Sequence, residues 1–252
     1  MICNDFFALY LDPTMTYSSG IFKAEDESLE AAQLRKLHSL IDRAKVEPEH
    51  HVLDIGSGRG SLAIELVKKT GCKCTGITLS EEQLKYSKRK DYNEMIEHVG
   101  HEYYEDFLGC CEYYLADHGL LVLQSIAIAE EMYHKWMRRP EFIKEYIFPG
   151  GCLPSLTRLV SAMSNASRLC VQHVENIGDH YYPTLINWRN NFMANREKVS
   201  ALGYDENFIR TWEYYLTYCA AGFESRMLLD YQIVFARPCD AKLPSYVAIA
   251  DA

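Results

Sequence analysis

Apolar residues recur along this chain in two alternating patterns, helical spacing and short unbroken runs. Residues 27–45 have apolar residues at helical spacing, and Pro48 ends that helix; the apolar residues are Leu29, Leu34, Leu37, Leu40 and Ile41. Residues 61–70 predict a second helix, and Ser80 begins a third with the Ser-Glu-Glu-Gln order of a capping box. Five apolar runs predict strands at residues 51–55, 73–78, 119–128, 168–177 and 230–237, the third and fourth of them buried.

The alternation of strands and helices predicts an α/β fold with a doubly wound, mostly parallel sheet whose last strand is antiparallel. We expect residues 1–238 to form a single domain. Within it, residues 1–48 are expected to form an N-terminal helical cap, and residues 129–165 and 183–222 to be helical insertions. The remaining residues, 239–252, are expected to be a flexible tail.

The composition of the chain limits the classes of partner that it can bind. A net charge of −9 argues against nucleic acid as a partner and against electrostatic capture by an anionic membrane, so peripheral membrane contact would depend on local patches. No apolar run is long enough for a membrane span and no secretory signal is present, which predicts a cytoplasmic protein; a homodimer stays open. The nine cysteines lack zinc-site spacing, so we expect reduced thiols and no metal site.

Residues 51–60, HVLDIGSGRG, predict a strand that breaks into a tight glycine turn. Gly56 and Gly58 let the backbone approach a ligand closely, and Asp54 lies at the end of the strand. The dinucleotide fingerprint needs a third glycine where this chain has Ser61, so the turn suits S-adenosylmethionine (SAM) better than NAD. We therefore predict a SAM site at the carboxyl end of the first strand.

Seven segments occur in the order found in one enzyme family. They are MTYSSGIF (15–22), VLDIGSGRG (52–60), TGITLSEEQL (75–84), EMIEHVGHEYYEDF (94–107), EYIFPGGCLPS (145–155), ENIGDHYYPTLINW (175–188) and CAAGF (219–223). The chain resembles the cyclopropane-fatty-acyl-phospholipid synthases, most of all the methyltransferase portion of the plant enzymes. The resemblance implies a SAM-methyltransferase fold of class I.

The resemblance also implies a reaction, the transfer of a methylene group from SAM to the cis double bond of an unsaturated phospholipid acyl chain. A bound bicarbonate takes the proton that is lost as the ring closes. A carbocation forms on the way, and it needs a dry, aromatic-lined pocket because water would trap it. The base must lie in place before that cation appears.

Site residues follow from the resemblance one by one. The cofactor-binding candidates are Asp54, Gly56, Gly58, Thr78, Ser80 and Gln83. The catalytic candidates, at the bicarbonate site, are Glu97, Tyr181, Ser19, Gln124 and the backbone of Ile126. Ser19 stands where many bacterial members have cysteine, and Gln124 where they have histidine. Arg59 stands where the glycine turn normally has tryptophan, and this change affects packing at the methionine end of the cofactor.

One part of the family pattern is missing from the sequence. After Lys90 the chain joins directly to DYNEMIE, where the family has two further strands, so about 25–30 residues of a complete doubly wound half are absent. The resemblance thus predicts that strands three and four are missing, and that this shortened chain binds SAM weakly and has little activity.

Alternatives stay open at this stage. The chain could instead be a small-molecule N-methyltransferase of the alkaloid type, because those enzymes share the fold and the E-x-x-E-H motif. It could also be a truncated, non-catalytic variant. Without the motifs, Glu97 would be an ordinary first-turn helix acid and Tyr181 a core tyrosine. The aromatic side chains of Trp212, Tyr214, Tyr215 and Tyr218 could form a packed helix face and not a pocket for the carbocation.

Overall fold

The computed structural model describes residues 3–78, 96 and 99–238. Nine α-helices lie in these ranges. They are α1 (Asn4–Phe7), α2 (Leu29–Ala44), α3 (Ser61–Thr70), α4 (Tyr104–Tyr114), α5 (Glu130–Met137), α6 (Leu156–Ala166), α7 (Tyr181–Ala194), α8 (Arg196–Ala201) and α9 (Glu206–Glu224). A π-helix spans Ile143–Ile147, and a 3-10 helix spans Gly178–His180. The helix predicted from Ser80, the junction after Lys90 and the tail 239–252 lie outside the described residues.

The first sheet is a parallel pair built as a strand–helix–strand unit. Strand β1 (His51–Ile55) pairs with β2 (Lys73–Ile77) from His51 opposite Lys73 to Ile55 opposite Ile77, and α3 connects them. Ile41 of α2, Leu66 of α3 and Cys72 form a small buried cluster beside this pair. The unit therefore aligns the carboxyl ends of both strands at one edge.

The second sheet has three strands. Strand β5 (Leu228–Ala236) lies in the centre, with β3 (Leu121–Ile128) on one side and β4 (Cys170–Asn176) on the other, and it is antiparallel to both. The prediction that the last strand is antiparallel is confirmed. Ile233, Val234, Phe235 and Ala236 are buried, so β5 is the core strand of this sheet.

The prediction of one mostly parallel sheet is wrong for the described residues. The five strands fall in two separate sheets, and only β1 and β2 are parallel. Apolar runs predict that a segment is a strand, but they carry no information on its partner, because pairing depends on residues far apart in the chain.

The prediction that residues 168–177 form a buried strand is also wrong. Every residue of β4 is exposed, and a register shift between Val171 and His173 interrupts its pairing with β5. Within the described part of the chain β4 bonds to β5 alone, so it is an edge strand. Bulges are common on such edges.

The largest hydrophobic cluster joins the N-terminal segment to the C-terminal helices. Phe6 and Tyr10 pack with Trp188 and Phe192 of α7 and with Trp212 of α9 through edge-to-face contacts. Aromatic pairs of this kind add to the free energy gained by burial. The cluster holds the segment before α2 against α7 and α9, and this segment carries the predicted site residue Ser19.

Candidate active site

The glycine turn follows β1 directly. Gly56, Gly58 and Gly60 have φ angles of 81°, 48° and 77°, which favour glycine over residues with a Cβ. The backbone amides of Gly56 and Ser57 both donate to the carbonyl oxygen of Ile77, each at 2.9 Å. These bonds hold the turn against the end of β2. The carboxyl ends of β1 and β2 and the amino end of α3 therefore border the same site.

Gly76 explains how the turn can lie so close to β2. A Cβ at this position would lie 2.7 Å from both the Cβ and the Oγ of Ser57, well inside van der Waals contact. Sequence analysis did not single out Gly76. A glycine inside a strand is, however, a signal of close backbone approach, and it could have been used.

The cofactor-binding candidates are only partly described. Thr78 follows β2 at the same edge as the turn, whereas Ser80 and Gln83 lie outside the described residues. Asp54 is buried in β1. Burial, with the charge of Asp54 as a second cause, raises the pKa of the Cys74 thiol to about 12, so the thiol is neutral near pH 7.

Arg59 points from the glycine turn into the N-terminal segment. Its guanidinium lies 4.6 Å from the centroid of the Phe7 ring. Its Nε donates to Asn4 Oδ1 at 3.1 Å and its Nη1 to the carbonyl oxygen of Met15 at 3.4 Å. With 2% exposure it is a buried cation that ties the turn to α1 and to the loop after it.

A second buried cation, Lys36 of α2, contacts the same N-terminal segment. Lys36 Nζ donates to Ser18 Oγ at 2.7 Å, and Gln33 Nε2 donates to the carbonyl oxygen of Ser18 at 2.6 Å. Lys36 and Gln33 are both buried. Sequence analysis missed them, because one face of an amphipathic helix normally buries apolar residues.

Ser19 and Tyr181 are connected through α7. Ser19 is buried and its Oγ donates to the carbonyl oxygen of Gly20 at 2.9 Å. The amide of Gly20 donates to Thr184 Oγ1 at 3.1 Å. Thr184 lies three residues after Tyr181 on the same face of the helix, so this contact places the Ser19 segment beside the first turn of α7.

Gln124, Ile126 and Tyr181 are connected through Asp230. Gln124 Nε2 donates to Asp230 Oδ2 at 3.0 Å, and Ile126 is the register partner of Asp230. The amide of Ile177 donates to the carbonyl oxygen of Asp230 at 2.7 Å, and the 3-10 helix that follows leads into Tyr181. Contacts through Asp230 and Thr184 thus connect four of the five catalytic candidates; Glu97 lies outside the described residues.

The aromatic helix α9 has two different faces. Trp212 and Tyr215 are buried, whereas Tyr214 and Tyr218 are exposed. Tyr215 Oη and Tyr17 Oη lie 2.7 Å apart, and the Tyr17 ring stacks on Trp188 at a centroid distance of 5.1 Å. Burial raises the pKa values of both tyrosines, so their hydroxyls stay neutral.

Tyr181 itself is part of this aromatic interior. It is 5% exposed, and its ring stacks on Phe223 of α9 at 4.1 Å with an interplanar angle of 15°. The aromatic rings of Tyr17, Trp188, Tyr181 and Phe223 therefore pack on one another between α7, α9 and the N-terminal segment. Packed neutral aromatic rings exclude water, and their faces attract cations.

Comparison with known proteins decides the family. The family profile "Mycolic acid cyclopropane synthetase" matches residues 2–93 and 91–233. The chain belongs to the mycolic acid cyclopropane synthetase family. The resemblance seen in the sequence is thereby confirmed.

Two individual relatives support the same family assignment. The chain is 33% identical to the tuberculostearic acid methyltransferase of Mycobacterium tuberculosis, over 94% of this chain and 63% of the relative. It is 32% identical to the cyclopropane-fatty-acyl-phospholipid synthase of Escherichia coli, over 93% of this chain and 65% of the relative. The chain thus spans less than two thirds of the length of these curated family members.

A solved family member shows the same fold. The structure of a mycolic acid cyclopropane synthase complexed with SAH and CTAB superposes with a TM-score of 0.85 at 27% identity, covering 93% of this chain and 94% of the other. This supports the α/β methyltransferase class predicted from the sequence. Among the described residues, no helix has the length and apolar character to cross a membrane.

Proposed function

We propose that this cyclopropane synthetase family member transfers a methylene group from SAM to the cis double bond of an unsaturated phospholipid acyl chain, forming a cyclopropane ring. The observation that carries the proposal is the Gly56–Gly60 turn, fastened to the end of β2 in a chain that belongs to this family. A relative solved with SAH and CTAB, whose alkyl chain resembles an acyl chain, supports both ligands.

The residues present fit a SAM molecule at the turn. Gly56 and Gly58 leave the backbone bare where a Cβ would approach the ligand, and Thr78 lies at the adjacent strand end. The buried ammonium of Lys36 on α2 donates to Ser18 of the N-terminal segment. Its positive charge could hold the carboxylate of SAM there. SAM, when bound, supplies an electrophilic methyl on its sulfonium.

The chain's own groups would then control the acyl chain. The neutral aromatic groups around Tyr17, Tyr181 and Tyr215 exclude water and face the developing carbocation. Bicarbonate is the proposed base, near Ser19, Gln124, Ile126 and Tyr181. The Ser19 hydroxyl donates to Gly20, so it must rotate before it can donate to an anion.

The missing segment after Lys90 is part of the proposal. The family profile matches in two pieces that meet at residues 91–93, where the sequence predicts the gap. The alignment with the tuberculostearic acid methyltransferase spans 270 positions, more than the 252 residues of this chain.

Such a loss would weaken the site. Each buried backbone group left without a partner costs about 1–3 kcal/mol, and a few of them approach a domain's net stability of about 5–15 kcal/mol. We therefore expect the 252-residue chain to bind SAM weakly and to cyclopropanate little. Inserting the corresponding segment of the Escherichia coli relative after Lys90 should restore both.

The test compares the two versions side by side. SAM binding is measured by calorimetry, and products on dioleoyl phospholipid and on small amines are measured by mass spectrometry. Ring formation by the restored version supports the proposal, and amine methylation without ring formation would favour the alkaloid-type N-methyltransferase. Equal SAM affinity and equal turnover in both versions would show that the gap is harmless.

A further inference from the structure

Residues 19–22 lie between α2 and the amino end of α7, and we call them the anchored segment. Three successive backbone amides of this segment donate to fixed acceptors: Gly20 to Thr184 Oγ1 at 3.1 Å, Ile21 to the carbonyl oxygen of Ala32 at 2.9 Å, and Phe22 to His180 Nδ1 at 3.3 Å. The first and third of these acceptors are side chains, one on α7 and one at its N-cap. The anchored segment begins with Ser19, so these bonds decide where that predicted site residue lies.

His180 and Thr184 flank Tyr181 at the start of α7. Thr184 Oγ1 donates to the carbonyl oxygen of His180 at 2.8 Å while it accepts from the Gly20 amide. The backbone of His180 is thus bonded to Thr184, and its ring to the anchored segment. Together the two side chains form a clamp that holds Ser19 beside Tyr181, and both of these residues are candidates for the anion site.

Helix α2 bounds the anchored segment on its other side. A Cβ at Gly20 would lie 2.9 Å from the Cβ of Ala32, so the segment and the helix are in close contact. The carbonyl oxygen of Ile21 accepts from Arg35 Nη1 at 2.6 Å. Because α2 fixes one side of the segment, the clamp decides how closely the segment approaches α7.

The contact between His180 and Phe22 requires a neutral imidazole. The backbone amide of Phe22 donates, so Nδ1 must accept, and an imidazolium ring has no acceptor. Burial lowers the pKa of His180, which keeps the ring neutral near pH 7. The charged groups that face the ring are Asp179, Glu175 of β4 and Arg35 of α2; the two acids oppose the lowering of the pKa, and Arg35 adds to it.

We propose that His180 is a positioning residue of the anion site, whose neutral ring holds the Phe22 amide and thereby keeps Ser19 beside Tyr181. The inference rests on the proposed function, and it adds a control by pH to the bicarbonate site. A proton on Nδ1 would face the N–H of Phe22, so donor would meet donor and the clamp would open. We therefore expect the site to lose its anion as His180 takes up a proton.

Hydrogen exchange tests the clamp without SAM, bicarbonate or turnover. Mass spectrometry measures the protection of a peptide of residues 17–24 at about pH 7.5, in the 252-residue chain and in the version with the segment restored after Lys90. His180→Ala deletes the acceptor and should lower the protection of the Phe22 amide about three- to tenfold. His180→Asn offers a side-chain oxygen as acceptor and should keep the protection within about twofold of the parent.

The same measurement against pH distinguishes a positioning role from a merely structural one. Below the ordinary histidine pKa of about 6.5, protection in the parent should fall, whereas His180→Asn does not titrate and should keep it. Glu27 does not interfere, because its hydrogen bond with Arg35 holds its pKa at about 2. His134→Asn, at an exposed position of α5, is the matched control and should follow the parent. The protection of residues 209–216 of α9 reports global unfolding and should stay constant.

Bicarbonate connects the clamp to the anion site. Adding bicarbonate at about pH 7.5 should protect the anchored segment further in the parent, and at least about threefold less in His180→Ala. In the restored version, His180→Ala should raise the bicarbonate concentration for half-maximal ring formation about three- to tenfold, and the corresponding SAM concentration by less than about twofold. His180→Asn should rescue both bicarbonate effects.

Three results would overturn the proposal. They are equal protection of the anchored segment in the parent and His180→Ala, an equal loss of protection with falling pH in the parent and His180→Asn, and an equal rise in the bicarbonate and SAM requirements of His180→Ala. The proposed function fails separately. A restored version that forms no ring contradicts the proposed function, and hydrogen exchange with and without bicarbonate still decides the role of His180.

Discussion

Gln124 Nε2 donates to Asp230 Oδ2 at 3.0 Å, and the same amide group accepts from Gln232 Nε2 at 3.1 Å. Asp230 and Gln232 are fully buried on β5. Arg43 of α2 donates to Gln232 Oε1 at 2.9 Å, so the network runs from the sheet to the helix above it. Polar networks of this kind specify one packing arrangement, because each member depends on the next.

Replacing Gln124 by leucine tests this network. The Gln124→Leu variant removes a donor from the buried Asp230 carboxylate, so we expect the free energy of unfolding to fall by about 1–3 kcal/mol. Urea denaturation measures it. The same substitution at Gln172, an exposed residue of β4, is the control and should change stability by less than about 0.5 kcal/mol. Equal effects at both positions would show that the network adds no stability.

Arg59→Met should loosen the N-terminal segment from the glycine turn. It removes the bonds to Asn4 and Met15 and the contact with Phe7, and hydrogen bonds to charged groups contribute about 1.5–3 kcal/mol each. We expect faster proteolysis within residues 3–20, measured by mass spectrometry of the fragments. Arg59→Trp, which introduces the tryptophan that the resemblance implies at this position, should protect this segment better than Arg59→Met, and Arg210→Met should leave proteolysis of the segment unchanged.

Gly76→Ala should push the glycine turn away from β2. The added methyl would lie 2.7 Å from Ser57, and overpacking of this kind costs about 1–3 kcal/mol. We expect lower stability in urea and, in the version with the segment restored, weaker SAM binding. Combining it with Ser57→Gly removes the clashing atoms and should recover most of the loss. A double variant no better than Gly76→Ala alone would contradict this close approach.

Alkaline titration should destabilise the aromatic interior. Burial raises the pKa values of Tyr17 and Tyr215 above the ordinary 10.0, so both stay protonated in the folded state when the unfolded chain ionises. Below pH about 10 both states hold these protons and stability is unaffected; above it, stability falls by about 1.4 kcal/mol per pH unit for each tyrosine.

Denaturation between pH 9 and 11 measures this dependence, in a window set by an ordinary tyrosine pKa of about 10. Tyr17→Phe should reduce the slope above pH about 10 by one such contribution, although it also removes the 2.7 Å bond to Tyr215 and lowers stability at neutral pH. Tyr113→Phe removes a tyrosine from an exposed position and is the control. An identical slope in the parent chain and in Tyr17→Phe would contradict the expectation.

Much of the local structure follows from the sequence. The run at residues 51–55 is β1 without change, residues 61–70 are α3, and the strand predicted at 73–78 ends one residue earlier as β2. The other three strands lie within two residues of their predicted bounds. These features depend on near neighbours, whose spacing and turn chemistry are visible in the chain itself. The family motifs likewise indicated the cofactor, because a glycine turn after a strand is a local feature.

Tertiary structure decided which distant residues meet. It separated the strands into two sheets, exposed β4 at an edge, placed Gly76 against Ser57, and joined Gln124 to Asp230 across β3 and β5. It also turned Arg59 toward Phe7 and buried Lys36 beside Ser18. None of these pairs is close in sequence, and their contacts are selected by the packing of the whole chain. Sequence spacing determines what each segment can form, and only three-dimensional packing determines what it touches.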